Sequence, residues 1–138
     1  MNVSLNWLSS YIDLEGLGTQ EMADMLTFAG IEVEGIQERG VTTDLVVVAQ
    51  VMEKPPVEGS DHLNVCMVDA GEGSLRQIVC GAQNYKVGDK VPCALPGAVL
   101  PGGWEIKDGK LRGVESRGML CSASELGLPD KEHGLWIL

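Results

Sequence analysis

The 138-residue chain is long enough for one ordinary domain, or for one small domain with part of another, and too short for a complete multidomain enzyme. Its 20 acidic and 10 basic residues leave a formal charge of −10, so the chain as a whole lacks the basic footprint of an autonomous nucleic-acid binder. The 44% hydrophobic content excludes a disordered chain, while 18 glycines and only 4% aromatic residues point to many turns, short strands and an aliphatic core.

At the N-terminus no basic start is present, and Asn2, Ser4, Asn6, Ser9 and Ser10 interrupt the apolar residues, so no signal peptide is read there. Leu5, Leu8 and Ile12 recur at helical spacing, with Trp7 and Tyr11 on an adjoining face, and predict a short helix. A second helix is marked by Thr19 as N-cap, Glu21 and Asp24 in the first turns, an apolar stripe of Met22, Met25, Leu26 and Ala29, and Gly30 as its stop. Ile31-Glu32-Val33-Glu34 alternates as a half-exposed strand should. Residues 1–44 therefore read as a short α+β segment, too small to bury a comfortable core alone.

From Leu45 the texture changes to short β-prone runs. Leu45–Met52, Val65–Ala70, Leu75–Cys80, Lys90–Leu95, Trp104–Lys107, Gly118–Cys121 and Leu135–Leu138 are candidate strands, broken at Pro55-Pro56, Gly71–Gly73, Gly88-Asp89, Pro96-Gly97 and Pro101–Gly103. With one helical interruption near Ser122–Leu126, residues 45–138 fit a mainly β architecture, a five-stranded Greek-key barrel of the OB type. The longest apolar run, Leu45–Ala49, is far too short to span a bilayer, so a cytoplasmic protein without a membrane partner is expected.

Chemistry is sparse. Cys66, Cys80, Cys93 and Cys121 form no C-x-x-C pair, and with His62 and His133 isolated they read as buried thiols in a reducing compartment, with no metal site. No nucleophile has a nearby base and no phosphate cradle is present, so no catalytic residue is assigned. Charge taken by segment is more informative. Residues 1–44 carry eight acidic residues against one basic, a net of −7, and residues 45–138 carry twelve against nine, a net of −3. Between positions 107 and 117, Lys107, Lys110, Arg112 and Arg117 oppose only Asp108 and Glu115, a local strip able to meet phosphates or simply to solvate a hairpin. Tyr85 and Trp104 are the aromatic residues available for stacking in this segment, and core packing is the expected job of Trp104.

Three ordered runs carry a resemblance. Gln77-Ile78-Val79-Cys80-Gly81-Ala82-Gln83-Asn84, Ala94-Leu95-Pro96-Gly97-Ala98-Val99-Leu100-Pro101-Gly102-Gly103 and Leu111-Arg112-Gly113-Val114-Glu115-Ser116-Arg117-Gly118-Met119-Leu120-Cys121-Ser122, followed by Glu125-Leu126-Gly127-Leu128, resemble the tRNA-binding OB domain shared by several synthetases and stand-alone tRNA-binding proteins. The opening Val3-Ser4-Leu5-Asn6-Trp7-Leu8 and Leu26-Thr27-Phe28-Ala29-Gly30-Ile31-Glu32-Val33-Glu34 resemble the start of bacterial phenylalanyl-tRNA synthetase β subunits.

The resemblance implies that residues 1–44 belong to a domain completed beyond this chain and that 45–138 is a tRNA-binding OB domain. It implies an accessory role in attaching phenylalanine to its tRNA, with the α subunit of an α2β2 heterotetramer as protein partner and no DNA. No cofactor is implied for these residues; ATP and magnesium belong to the full synthetase, and the chain itself is expected to be non-catalytic. Where the family has His-Pro-x-Ala-Asp-Lys/Arg-Leu after its first barrel strand, this chain has Val57-Glu58-Gly59-Ser60-Asp61-His62-Leu63, matching only Asp61 and Leu63. Asn84 and Ser116 match the family motifs near the nucleic-acid face. With Lys107, Lys110, Arg112 and Arg117 they make the expected RNA-contacting set, Asn84 and Ser116 having equally plain structural uses as a turn tie and a cap. The rivals are a purely structural assembly module without RNA contact and a stand-alone tRNA-binding protein.

Overall fold

A computed structural model describes residues 1–129 and 133–138, which form two compact units, Met1–Arg39 and Gly40–Leu138. In the first, α1 (Leu5–Leu8) is a single turn. The hydroxyls of Ser9 and Ser10 donate to the Asn6 and Trp7 carbonyls at 2.9 and 2.6 Å, taking acceptors that a longer helix would need. Trp7 and Tyr11 meet edge to face with centroids 5.4 Å apart.

α2 (Thr19–Phe28) begins one residue earlier than the sequence suggests: Gly18, not Thr19, is the N-cap, and no side chain caps it. Its end is as expected. Gly30 N–H bonds the Thr27 carbonyl and Ile31 N–H the Leu26 carbonyl, the paired bonds of a Schellman turn. The apolar stripe finds little to cover it within the unit, where among the described residues only Ala23 is buried and Met25, Leu26 and Phe28 stand exposed. The strand expected at Ile31–Glu34 is not formed. Alternation supplies the right faces, but a strand also needs a neighbour to bond its backbone, and this segment has none in the unit.

The second unit is the barrel. In chain order its strands are β1 (Val46–Glu53), β2 (Asn64–Asp69), β3 (Leu75–Cys80), β4 (Lys90–Ala94), β5 (Val99–Leu100), β6 (Trp104–Glu105), β7 (Gly109–Leu111), β8 (Val114–Ser116) and β9 (Met119–Leu120). The main sheet is antiparallel in the order β3-β2-β1-β4-β9, the five-stranded arrangement anticipated above, and β5-β6 and β7-β8 are separate hairpins. Facing pairs Val51–Val68, Ala49–Val91, Cys66–Ile78 and Cys93–Leu120 point one side of each strand inward. Each fully buried Val or Ile there contributes about 1.5–3 kcal/mol. A bulge between Val51 and Glu53 gives β1 one residue more than β2 over the same span and bends the strand, as closure requires.

A second core lies on the outer side of β1 and β4, where Ala94, Ala98, Leu100, Ile106, Cys121 and Leu126 pack with Val46, Met119 and Trp136. The 3-10 turn Ser124–Leu126 occupies the predicted helical interruption. Leu135–Leu138 is a strap and not the expected strand. It bonds two different segments, Trp136 N–H to the Cys121 carbonyl and Leu138 N–H to the Lys90 carbonyl, so no ladder can form. Trp104 is also corrected: it is 57% exposed at the end of the β5-β6 hairpin while Leu100, opposite it, fills the second core.

Candidate nucleic-acid interface

The barrel closes where β3 meets the chain between β8 and β9, and side chains supply most of that seam. Arg117 N–H bonds the Gln77 carbonyl at 2.9 Å, Val79 N–H bonds Ser116 Oγ at 3.1 Å, and Gln77 Nε2 donates to the Glu115 carbonyl at 2.9 Å. Arg76 adds a strut: Nη1 donates to the Arg117 carbonyl at 2.8 Å while Nε and Nη2 grip both oxygens of Glu72 at 2.8 and 2.6 Å. That grip holds the Glu72 carboxyl below its ordinary range. Gln77 and Arg76 were not anticipated as positioning residues, since only the pairing of β3 with a distant hairpin reveals them.

The β7-β8 hairpin turns at Arg112-Gly113, both with positive φ, 49° and 80°, the pattern of a type I′ turn. In its register Lys110 faces Glu115, Leu111 faces Val114 and Gly109 faces Ser116. Ser116 is buried, so its face is inward and Lys110 and Glu115 share the outward face. Arg117 reaches the same Glu115 carboxylate, Nη2 to Oε2 3.7 Å, and Lys107 Nζ lies 3.2 Å from Glu105 Oε2. At the tip, Arg112 Nη1 donates to the Gly59 carbonyl at 3.1 Å, joining the hairpin to the loop between β1 and β2. That loop is closed on itself by Val57 N–H to the Leu63 carbonyl and Leu63 N–H to Ser60 Oγ, leaving Glu58, Asp61 and His62 exposed.

Five of the six expected contact residues thus gather on one hairpin and its flanks. Lys107, Lys110, Arg112 and Arg117 are exposed; Ser116 stands behind them, its hydroxyl accepting from Val79 and donating to the Gly118 carbonyl at 3.1 Å. Asn84 is separate, its carboxamide bonded at both ends to the backbone of Leu135. The exposed cations present ammonium and guanidinium groups suited to phosphate oxygens, at a site where the β1-β2 loop meets the segment preceding the last barrel strand, the two loops that OB folds use for oligonucleotides.

The four thiols are free and buried. Burial pushes Cys66 up to about 11 and Cys93 and Cys121 up to about 12, so they remain protonated and inert. Tyr85 fills the core beside them, its hydroxyl 2.8 Å from Cys66 Sγ, with Lys54 Nζ 4.0 Å above its ring. Among the described residues no three His, Cys, Asp or Glu side chains group together as they would around a metal ion. No helix among them is long and apolar enough to cross a membrane.

The chain is 51% identical over its whole length to the phenylalanine–tRNA ligase beta subunit of Chromobacterium violaceum, covering 18% of that protein. It is 49% identical to the same subunit of Dechloromonas aromatica and 47% identical to that of Bdellovibrio bacteriovorus, in each case over the whole chain and 17% of the relative. The chain therefore spans less than a fifth of the length of these curated relatives. The family model described as "Putative tRNA binding domain" matches residues 46–137, from the first residue of β1 to the penultimate residue of the strap, and the chain belongs to that family.

Proposed function

We propose that this chain is the N-terminal, RNA-contacting region of the β subunit of a phenylalanine–tRNA ligase, an accessory region supporting the attachment of phenylalanine to its tRNA. The observation that carries the proposal is identity near 50% across all 138 residues, both units included, to proteins bearing that name. The exposed Lys107, Lys110, Arg112 and Arg117 are the phosphate contacts in this reading. Ser116 behind them, and Asn84 apart from them, fix the chain, consistent with their hydrogen bonds.

The larger assembly follows from the same reading. The partner is the α subunit in an α2β2 heterotetramer in the cytoplasm, and ATP, magnesium and aminoacylation belong to that assembly. Residues 1–44 would be part of a domain completed by other chain, in keeping with a first unit whose helix stripe is exposed and whose one alternating segment has no strand to pair with.

The test is binding of an in vitro transcribed phenylalanine tRNA across salt. Measurable affinity at about 20 mM salt, falling steeply as salt rises, is the expected result. No binding at that salt, together with co-purification of the α subunit, would replace RNA contact with a purely structural assembly role.

A further inference from the structure

We propose that Glu105 and Glu115 are resident competitors for phosphate, which hold down the RNA affinity of the hairpin; the proposal rests on the RNA-contact reading above and adds how that contact is limited. Both carboxylates sit on cations assigned to phosphate. Glu105 Oε2 is 3.2 Å from Lys107 Nζ, and Glu115 Oε2 is 3.7 Å from Arg117 Nη2 while Glu115 also faces Lys110 across the β7-β8 register.

These pairs are poorly explained as struts. All four side chains are more than half exposed, 72% and 51% in one pair and 63% and 56% in the other, where ion pairs stabilise a fold little. Neither carboxylate has another hydrogen-bond or ion-pair partner among the described residues. The Glu72–Arg76 pair is the contrast. It is bidentate, its arginine is 18% exposed, and it supports the Arg117 carbonyl in the barrel seam.

What the exposed carboxylates do change is the potential a phosphate meets. An incoming phosphate must displace Glu115 from Arg117 and then remain within a Debye length of it, about 10 Å at 0.1 M salt. A cation already neutralised by its own chain also releases fewer condensed counterions when it reaches RNA. Both effects lower affinity at low salt and flatten its salt dependence.

The experiment compares Glu105→Gln, Glu115→Gln and the double variant with the unsubstituted chain. Glu53→Gln, at the end of β1 and two strands from β3 in the sheet order, controls for net charge alone. The probe is the transcribed tRNA, titrated from about 20 to 200 mM salt, with melting temperature measured in parallel. Each hairpin substitution is expected to tighten binding roughly three- to tenfold at the lowest salt, to steepen the salt dependence and to lose most of its gain at the highest. Melting temperature should stay unchanged. Affinities equal to the Glu53→Gln control, with the unsubstituted chain binding normally, overturn the proposal and leave the RNA-contact reading standing. Absence of binding by the unsubstituted chain and the double variant alike, at about 20 mM salt, overturns both.

Discussion

The carboxamide of Asn84 holds the backbone of Leu135 at both ends: Nδ2 donates to its carbonyl at 2.8 Å, and Oδ1 accepts from its N–H at 2.9 Å. Fifty-one positions separate the two residues, and Leu135 is buried among the barrel core residues. The amide therefore fixes the strap that seals the barrel. Asn84→Ala should cost about 1–3 kcal/mol, the range for leaving buried partners unbonded. Asn84→Asp should also destabilise, since the carboxylate keeps the acceptor but faces the Leu135 carbonyl without a donor. Urea unfolding measures both. A loss of tRNA affinity with stability unchanged would instead make Asn84 a direct contact.

Ser116 makes a comparable tie in the barrel seam behind the cations. Its hydroxyl accepts from Val79 N–H and donates to the Gly118 carbonyl, so Ser116→Ala removes both and leaves the Val79 amide unbonded in the buried seam. The expected loss is again about 1–3 kcal/mol. Hydrogen exchange at Val79 is the direct measurement, and it should accelerate more than exchange at Cys66, which lies within the β2-β3 ladder.

Gly118 completes the seam because no side chain fits there. Its φ is +129°, and a Cβ would lie 2.7 Å from the Ala94 carbonyl oxygen, a backbone atom that cannot swing away. Gly118→Ala should cost more than about 2 kcal/mol, combining the backbone and the steric penalty. Gly102→Ala separates the two, since Gly102 also has positive φ but open space around it; its cost should be about 1 kcal/mol. Equal losses at the two positions would mean that the barrel gives way locally at Ala94.

How far the sequence reaches is clear from these residues. The five barrel strands were legible as short runs rich in Val, Ile, Leu and Cys, with prolines and glycines punctuating the gaps. The two-residue β5 and the three-residue β7 and β8 are too short to carry a period, so of the two small hairpins only β6, within the expected Trp104–Lys107 run, was read as a strand. Ile31–Glu34 failed for the opposite reason: its pattern is right, but pairing is a property of a partner strand. Trp104 was misjudged because large aromatic residues favour cores on average, while its position opposite Leu100 at a hairpin end left it outside. The cationic residues were legible as a cluster of types. Their neutralising carboxylates were also visible, but the register that sets Glu115 between Lys110 and Arg117 was not.

Arg112 differs from the other cations because it bridges two loops. Its bond to the Gly59 carbonyl uses one of five donors and leaves the others for a phosphate in the proposed contact. Arg112→Lys keeps the charge but loses the fork, so the salt dependence of tRNA binding should hold while affinity falls several-fold and exchange in residues 57–63 speeds up. Lys110→Ala should behave otherwise. The logarithmic salt slope should decrease by about 0.7–0.9, one phosphate contact, with loop exchange unchanged. Titration of both variants over salt, with hydrogen exchange on the free chain, checks the distinction.

The buried thiols give the fold an alkaline limit. An ordinary cysteine here would titrate near 9, whereas burial raises Cys66 to about 11 and Cys93 and Cys121 to about 12. Below pH 9 the thiols are protonated in both folded and unfolded chain and do not affect the balance. Above it the unfolded chain releases protons that the folded chain retains, so stability falls as pH rises through the window from about 9 to about 11 or 12. The loss at pH 11 is on the order of 2 kcal/mol per thiol. Cys93→Ala and Cys121→Ala should flatten the decline between pH 9 and 11 relative to the unsubstituted chain, whatever their effect at neutral pH. Urea midpoints measured from pH 7 to 11 test this, and a decline equally steep in the variants would place its origin elsewhere than in the thiols.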